Sequence, residues 1–354
     1  MDIAIVGANG DVGRQLAVQI VGRRLLTPRA RLQLIGRRGG ASERALHGLR
    51  ADLYDAFAEI TPEIDVGLAP EDVAADLILF AAGATPAASP HGSVDRRELA
   101  KTNRAVFESY ARSLAQRGHG EEIVVVVTNP VELGVSVFAR HLDPHRVIGM
   151  GAYQDSMRLR REIATDLGVR RQRVQAYALG EHGDALVPIL SRVWIYGFDD
   201  AENALARDRL RGGRSVAAFA ERLASEKQVL RGFLADNRVA EAFLHAEALP
   251  ADLRAVLMPV LTHVSGAKTA VSTASVTTEL VETILSGGQS VIPAQVQLGS
   301  HDWFGPPGVL GVPVMFGLRG WSRPTDLDMD DDEHRTLLDV AARIQRQIED
   351  WSRD

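Results

Sequence analysis

The 354-residue sequence contains no cysteine. That absence excludes disulfides, thiolate nucleophiles and cysteine-ligated metals, and it fits a cytoplasmic protein. Long apolar runs are missing as well. The most apolar stretch, Ile123 to Val127, is five residues long, whereas a membrane-spanning helix needs about 20. Nor is there an excess of positive charge: the net charge is −6 and the pI about 6.0, so no overall field draws the chain to nucleic acid or anionic lipid. The opening Met1 to Val6 has no basic segment and runs straight into a strand-like pattern, so no signal peptide is expected. With 45% apolar and 24% charged residues, the chain is composed like a globular protein of about two domains.

Short β-branched runs alternate with helical patterns over the first 150 residues. Strands are predicted at Ile3 to Val6, Arg31 to Ile35, Asp76 to Ala81, Ile123 to Val127 and Val147 to Gly149, with a helix over Asp11 to Val21. This alternation is the mark of an α/β doubly wound parallel sheet. The later half reads as a mixture of helix and strand. It has helices over Ser156 to Leu167, Ser272 to Leu285 and Glu333 to Trp351, and strands at Val174 to Leu179, Val291 to Val296 and Val312 to Phe316. The expected division is a dinucleotide-binding domain over 1–148 and an α+β catalytic domain over 149–354, with a helical insertion about 199–249. The acidic run Asp326 to Glu333 is read as favourable charge at a helix N-terminus; no metal site is expected.

Gly7-Ala8-Asn9-Gly10-Asp11-Val12-Gly13 follows the first strand and opens a helix. Such a turn lets the backbone approach a pyrophosphate, whose charge meets the free N–H groups of the helix N-terminus. Gly7, Asn9, Gly10, Asp11, Val12 and Gly13 are therefore candidate cofactor contacts. An acidic residue at the end of the second strand would accept from the ribose hydroxyl of NAD. Here that strand ends in Gly36-Arg37-Arg38. Arg37 and Arg38 can hold a 2′-phosphate, so NADP is expected over NAD.

Four more pieces suit hydride transfer to the carbonyl of a 2-oxo acid. His182, in Gly180-Glu181-His182-Gly183-Asp184, is the expected acid–base group. Asp155 would fix its tautomer and favour its charged form. Arg158, three residues on, would hold the substrate carboxylate. Arg96, at the end of a Gly/Pro/Ser-rich lid from Ala84 to Asp95, would polarise the carbonyl when the lid closes. Asn129, in Thr128-Asn129-Pro130, would donate to the same oxygen or position the nicotinamide.

In these motifs the chain resembles the malate/lactate dehydrogenase family. The matching pieces are the glycine turn, Ala82-Gly83, Arg96 with Asn103, Thr128-Asn129-Pro130-Val131-Glu132, Asp155-Ser156-Met157-Arg158 and Gly180-Glu181-His182-Gly183-Asp184, with weaker likeness to the end of the chain. The resemblance implies a Rossmann sheet and an NAD(P)-dependent 2-hydroxy-acid dehydrogenase. By the same resemblance Gly83, Asn103 and Asn129 touch the cofactor, Thr269 borders the substrate, and the protein is a homodimer or homotetramer.

Three features depart from the family pattern. The lid, including His91, has neither the Arg of the malate enzymes nor the Gln of the lactate enzymes. A second carboxylate would lack its usual partner there, so a non-standard 2-oxo acid is expected. Gln154 replaces an apolar residue and could bond to the substrate side chain. Finally, the Asp199 to Leu249 region is an amphipathic surplus, either a pair of helices added to the surface or a subunit contact or cover for the pocket. The alternatives are an NAD-dependent malate dehydrogenase and, from another class, a non-catalytic dinucleotide sensor.

Overall fold

The structure, a computed structural model, describes residues 1–84, 96–266, 268–303, 305–325 and 327–353. The expected lid therefore lies almost wholly outside the described residues, as do His91 and the side chain of Arg96.

The first half builds β1 (Ile3–Val6), α1 (Asp11–Gly22), β2 (Arg31–Ile35), α2 (Gly40–Ala56), β3 (Glu63–Gly67), β4 (Leu77–Phe80), α3 (Arg96–Arg117), β5 (Ile123–Val126), α4 (Val131–His141) and β6 (Val147–Gly149). Every residue of β1, β4 and β5 is buried, which is why these strands read as unbroken apolar runs rather than as alternations. All pairs among these strands are parallel, in the order β3-β2-β1-β4-β5-β6. This is the expected doubly wound sheet. Its order reverses between β1 and β4, and the crevice outside the carboxyl ends of those strands is where such sheets take ligands. Beneath β4, the Phe80 ring meets Phe107 of α3 at 5.4 Å and Phe138 of α4 at 5.1 Å. That cluster fixes both helices on the side from which Asn103 and Glu132 reach the crevice.

The second half follows as α5 (Gly151–Leu167), β7 (Val174–Gly180), β8 (Leu186–Ile195), α6 (Asp200–Arg211), α7 (Phe219–Ala235), α8 (Val239–Glu247), α9 (Ala251–Val264), α10 (Ala270–Leu285), β9 (Ser290–Leu298), β10 (Gly308–Gly317), β11 (Gly320–Pro324) and α11 (Asp331–Arg353). The sheet continues through β6-β9-β10-β7-β8, with β11 on β10. Two narrow joints carry that continuity, Gly149 opposite Gln295 and Gly311 opposite Gly180. One apolar core runs beneath the parallel strands and into β9 and β10. A second is enclosed by α5, β7, β8 and helices α6 to α9.

The structure corrects the sequence reading in several places. Helix α5 begins at Gly151 and not at Ser156. The Gly151-Ala152 start was hidden because glycine reads as a breaker, although here it is needed for close packing. Strands β3 and β11 were missed because they are half polar, and β8 because Pro188 interrupts its pattern. The Asp199 to Leu249 region forms three helices rather than a pair. Asp199 caps α6, with its carboxylate accepting from the Glu202 N–H at 2.8 Å. The acidic run does more than face a helix dipole. Glu333 is fully buried and accepts from the Ser191 N–H at 2.9 Å, the Ser191 hydroxyl and Arg211, tying α11 to β8 and α6.

Candidate active site

The glycine turn sits where β1 meets α1. Gly7 has φ +86°, and a Cβ there would lie 2.7 Å from Ala82 backbone; a Cβ on Gly13 would lie 2.3 Å from the Gly7 carbonyl. Only glycine fits either place. Gly10 precedes α1 as its cap with no side-chain hydrogen bond, so the first N–H groups of the helix stay available to an anion. Asp11 is paired with Lys268 at 2.9 Å. Val12 is half-buried against the first core. Asn9 and Ser42 share a hydrogen bond of 3.3 Å, and the Ser42 hydroxyl accepts from the Arg37 N–H at 3.1 Å. Arg37 and Arg38 are exposed at the end of β2. Glu43, in the first turn of α2, is turned onto the Gly39 N–H at 2.5 Å. These are residues that fit a dinucleotide: a close-approach backbone, an open helix N-terminus and two guanidinium groups.

At the end of β4, Gly83 is exposed, while Asn103 is fully buried. The Asn103 amide accepts from the Ala84 N–H at 2.7 Å and donates to the Asn129 carbonyl at 2.7 Å. Asn103 thus braces the two loops that flank the crevice instead of presenting a free amide to it. Asn129 itself is exposed and precedes a cis Pro130.

The sequence-predicted acid–base set comes together on α5 and the loop after β7. His182 Nδ1 lies 2.8 Å from Asp155 Oδ2, and Arg158 Nη1 donates to Asp155 Oδ1 at 3.0 Å. The Gly183 N–H donates to Asp155 Oδ2 at 3.1 Å. Ser156 locks the two elements in register, since its hydroxyl accepts from the Ala178 N–H at 2.8 Å. Burial would raise the Asp155 pKa, but His182, Arg158 and the Gly183 N–H together hold it below the usual carboxylate range. Burial would likewise depress the imidazole. The Asp155 carboxylate outweighs that effect and raises His182 above its ordinary value. With Nδ1 committed to Asp155, Nε2 is the nitrogen left for proton transfer.

Around this set the structure adds contacts to which the sequence reading assigned no part. Gly151 packs directly beneath His182: a Cβ there would lie 2.4 Å from His182 Cβ. Gln295 is fully buried and accepts from the Ala152 N–H at 2.9 Å, fixing the start of α5. The expected Gln154 is buried and donates to Thr273 Oγ1 at 2.8 Å. Thr273 lies one turn into α10 from the half-buried Thr269, whose carbonyl accepts from the Thr273 N–H at 3.0 Å. Glu132 is also buried, and its Oε1 accepts from the His182 N–H at 2.7 Å. Burial and the charge of Glu181 push the Glu132 carboxyl up to about 7. From the helical region, Lys227 of α7 pairs with Asp184 on the His182 loop. A glutamate after Asn-Pro and a lysine on a distant helix give no local chemical signal; only the fold brings them here. Among the described residues, no group of three or more His, Asp or Glu side chains is placed to hold a metal.

A doubly wound dinucleotide-type sheet with a His–Asp pair and a neighbouring arginine at its crevice is thus the class that fold and site define. Residues 1–149 match the lactate/malate dehydrogenase NAD binding domain, and beyond that segment the chain is similar to malate dehydrogenases along nearly its whole length. It is 29% identical over 354 residues to a malate dehydrogenase of Halobacterium salinarum, covering 96% of this chain and 95% of that protein. It is 32% identical over 205 residues to an L-2-hydroxycarboxylate dehydrogenase (NAD(P)(+)) of Methanocaldococcus jannaschii, covering 56% of this chain and 62% of that one. Several such relatives are matched over only about three fifths of their length. In fold the chain is similar to the Cryptosporidium parvum lactate dehydrogenase crystallised with lactic acid and nicotinamide adenine dinucleotide. That likeness has a TM-score of 0.76 at 19% identity and covers 100% of this chain and 98% of that one.

Proposed function

We propose that the protein interconverts 2-oxo and 2-hydroxy acids at the expense of a nicotinamide dinucleotide. The observation that carries this reading is the His182–Asp155–Arg158 constellation at the mouth of the doubly wound sheet. Bound in the glycine cradle, the reduced cofactor supplies a hydride to the 2-carbon of the oxo acid. His182 Nε2 gives its proton to the adjoining oxygen and takes it back in the reverse direction. Asp155 keeps Nδ1 protonated and offsets the imidazolium charge. Among the described residues, the Arg158 side chain makes one hydrogen bond, from Nη1 to Asp155. Its other N–H groups serve the 1-carboxylate. Arg96 polarises the reacting oxygen, Asn129 orients the nicotinamide or donates to that oxygen, and Thr269 and Gln154 border the substrate.

The finer assignments rest on the sequence. Arg37 and Arg38, which end β2 where an acid would read NAD, favour NADP. A lid without Arg or Gln, and the polar Gln154–Thr273 pair, favour an acid that is neither pyruvate nor oxaloacetate. We place the protein in the cytoplasm as a homodimer or homotetramer. A second reading, an NAD-dependent malate dehydrogenase, is favoured by the full-length likeness to the Halobacterium enzyme.

The test is nicotinamide absorbance decay with purified protein, offering NADPH and NADH separately against pyruvate, oxaloacetate and branched, aromatic, hydroxylated and phosphonate-bearing 2-oxo acids. NADPH-preferred turnover on a bulky or polar acid is the expected result. Efficient oxaloacetate reduction with NADH selects the second reading, and loss of no turnover in His182→Ala overturns both.

A further inference from the structure

Around the His182 loop stand three ionisable side chains, Arg343, Glu181 and Glu132. Arg343 of α11, 39% exposed, donates to Glu181 Oε2 at 2.8 Å. Glu181 and Glu132 are both buried, at 4% and 5% exposure, and Glu132 meets the His182 backbone N–H at 2.7 Å. Glu132 stands in the first turn of α4, three residues after Asn129. One helix start therefore carries both a cofactor-side residue and the contact that holds the acid–base loop.

Two carboxyls buried close together, with Arg343 on Glu181, are not needed merely to fill space. Buried carboxylates are costly unless hydrogen-bonded or paired. An amide or apolar residue would pack there at lower cost. We propose that Glu132 is a positioning residue for His182, holding the imidazole in place through the loop backbone at every pH and, once its carboxyl ionises, adding negative charge behind it. The inference rests on the reading of His182 as the acid–base group.

The groups that face His182 are Asp155 and Arg158 from α5, Glu132 from α4 and Glu181 from its own loop, with Arg343 behind Glu181 and the Asp184–Lys227 pair further along. Among them Asp155 is the dominant anion, and Glu132 acts in the same direction. Replacing Glu132 by Gln keeps an acceptor for the His182 N–H and removes the charge. The imidazolium then loses part of its support, and in the reductive direction, which needs the protonated ring, activity falls off at a lower pH.

The experiment is an NMR titration of the full-length protein with labelled histidine, the His182 signal being assigned as the one missing from His182→Asn. In Glu132→Gln the His182 midpoint is expected to fall by about one pH unit, and the alkaline limb of the reductive kcat/KM profile to move by the same interval. An unchanged midpoint in a folded Glu132→Gln overturns the proposal. Glu132→Asp separates reach from charge. One methylene short, it withdraws from the His182 N–H, so its amide proton signal moves upfield and kcat drops while cofactor affinity holds. An unmoved amide signal there also overturns the proposal. If no 2-oxo acid is reduced by the unaltered protein, the proposed function fails, and the two NMR readouts still decide the part played by Glu132.

Discussion

Gly151→Ala is the smallest change that should separate folding from chemistry in this molecule. The added methyl would lie 2.4 Å from His182 Cβ, 2.6 Å from His182 Cγ and 3.0 Å from Gln295 Nε2. Carbon atoms rest at about 3.5–4.0 Å, so something must yield by roughly 1 Å. The helix start is not free to yield. The Met150 N–H is bound to Val126 O at 3.0 Å, and the Ala152 N–H to Gln295 Oε1 at 2.9 Å. The His182 side chain, on a loop, moves instead. Overpacking costs about 1–3 kcal/mol, partly offset by the roughly 1 kcal/mol by which alanine favours helix over glycine. A displacement of about 1 Å at the acid–base group lowers turnover on the order of 100-fold. The assay is kcat/KM on the best acid of the panel, alongside thermal melting and a fluorescence titration of the reduced cofactor. The expected outcome is a large loss of kcat, a small change in melting temperature and unchanged cofactor affinity. Undiminished kcat refutes the placement of Gly151 under the imidazole, and so does a loss explained wholly by unfolding.

Three further outcomes are expected. Arg158→Gln should raise KM for the 2-oxo acid about 100-fold, from loss of roughly 2–3 kcal/mol of charge-assisted bonding, with cofactor affinity unchanged in the same titration. Arg37→Ser combined with Arg38→Ser should weaken NADPH about tenfold and leave NADH as it was; equal losses for both would show the arginines to be unconnected with the 2′-phosphate. The Glu132 carboxyl, pushed up to about 7, keeps its proton in the folded chain where the unfolded chain has lost it, between pH about 4.3 and 7. Stability should therefore decline as pH rises through that window, by about 3–4 kcal/mol. Urea denaturation of Glu132→Gln should show the decline removed, whereas a parallel decline in the variant would place the titrating group elsewhere.

The parts of the fold legible in the sequence are those with both faces buried or one clean apolar stripe. β1, β5 and β6 stand within a residue of their predicted bounds, because a strand covered on both sides is apolar throughout, and β2 is legible despite Arg31 and Gln33 from its Leu32, Leu34 and Ile35. The edge strand β3, Glu63–Gly67, alternates too weakly to be seen. The site divides in the same way. His182, Asp155 and Arg158 announce themselves as chemical types in polar motifs after a strand or within a helix. Glu132, Gly151, Thr273 and Lys227 carry no such mark, since their importance is set by contacts over long sequence separations, 50 residues for Glu132 to His182 and 119 for Gln154 to Thr273. Arg96 and the lid belong to the part read from sequence alone.

The two-way hydrogen bonding between Ser156 and Ala178 has a consequence for how such a protein can change over generations. It binds α5 to β7, so the proton-handling pair is assembled within one short continuous stretch of chain. The groups proposed to border the substrate arrive from elsewhere: Thr269 from the start of α10 and Gln154's partner Thr273 from within it, with the Lys227 contact from α7. Reactivity and selectivity are thus inherited on separate segments. Replacements in the latter can redirect the molecule to a new acid while the former passes on untouched.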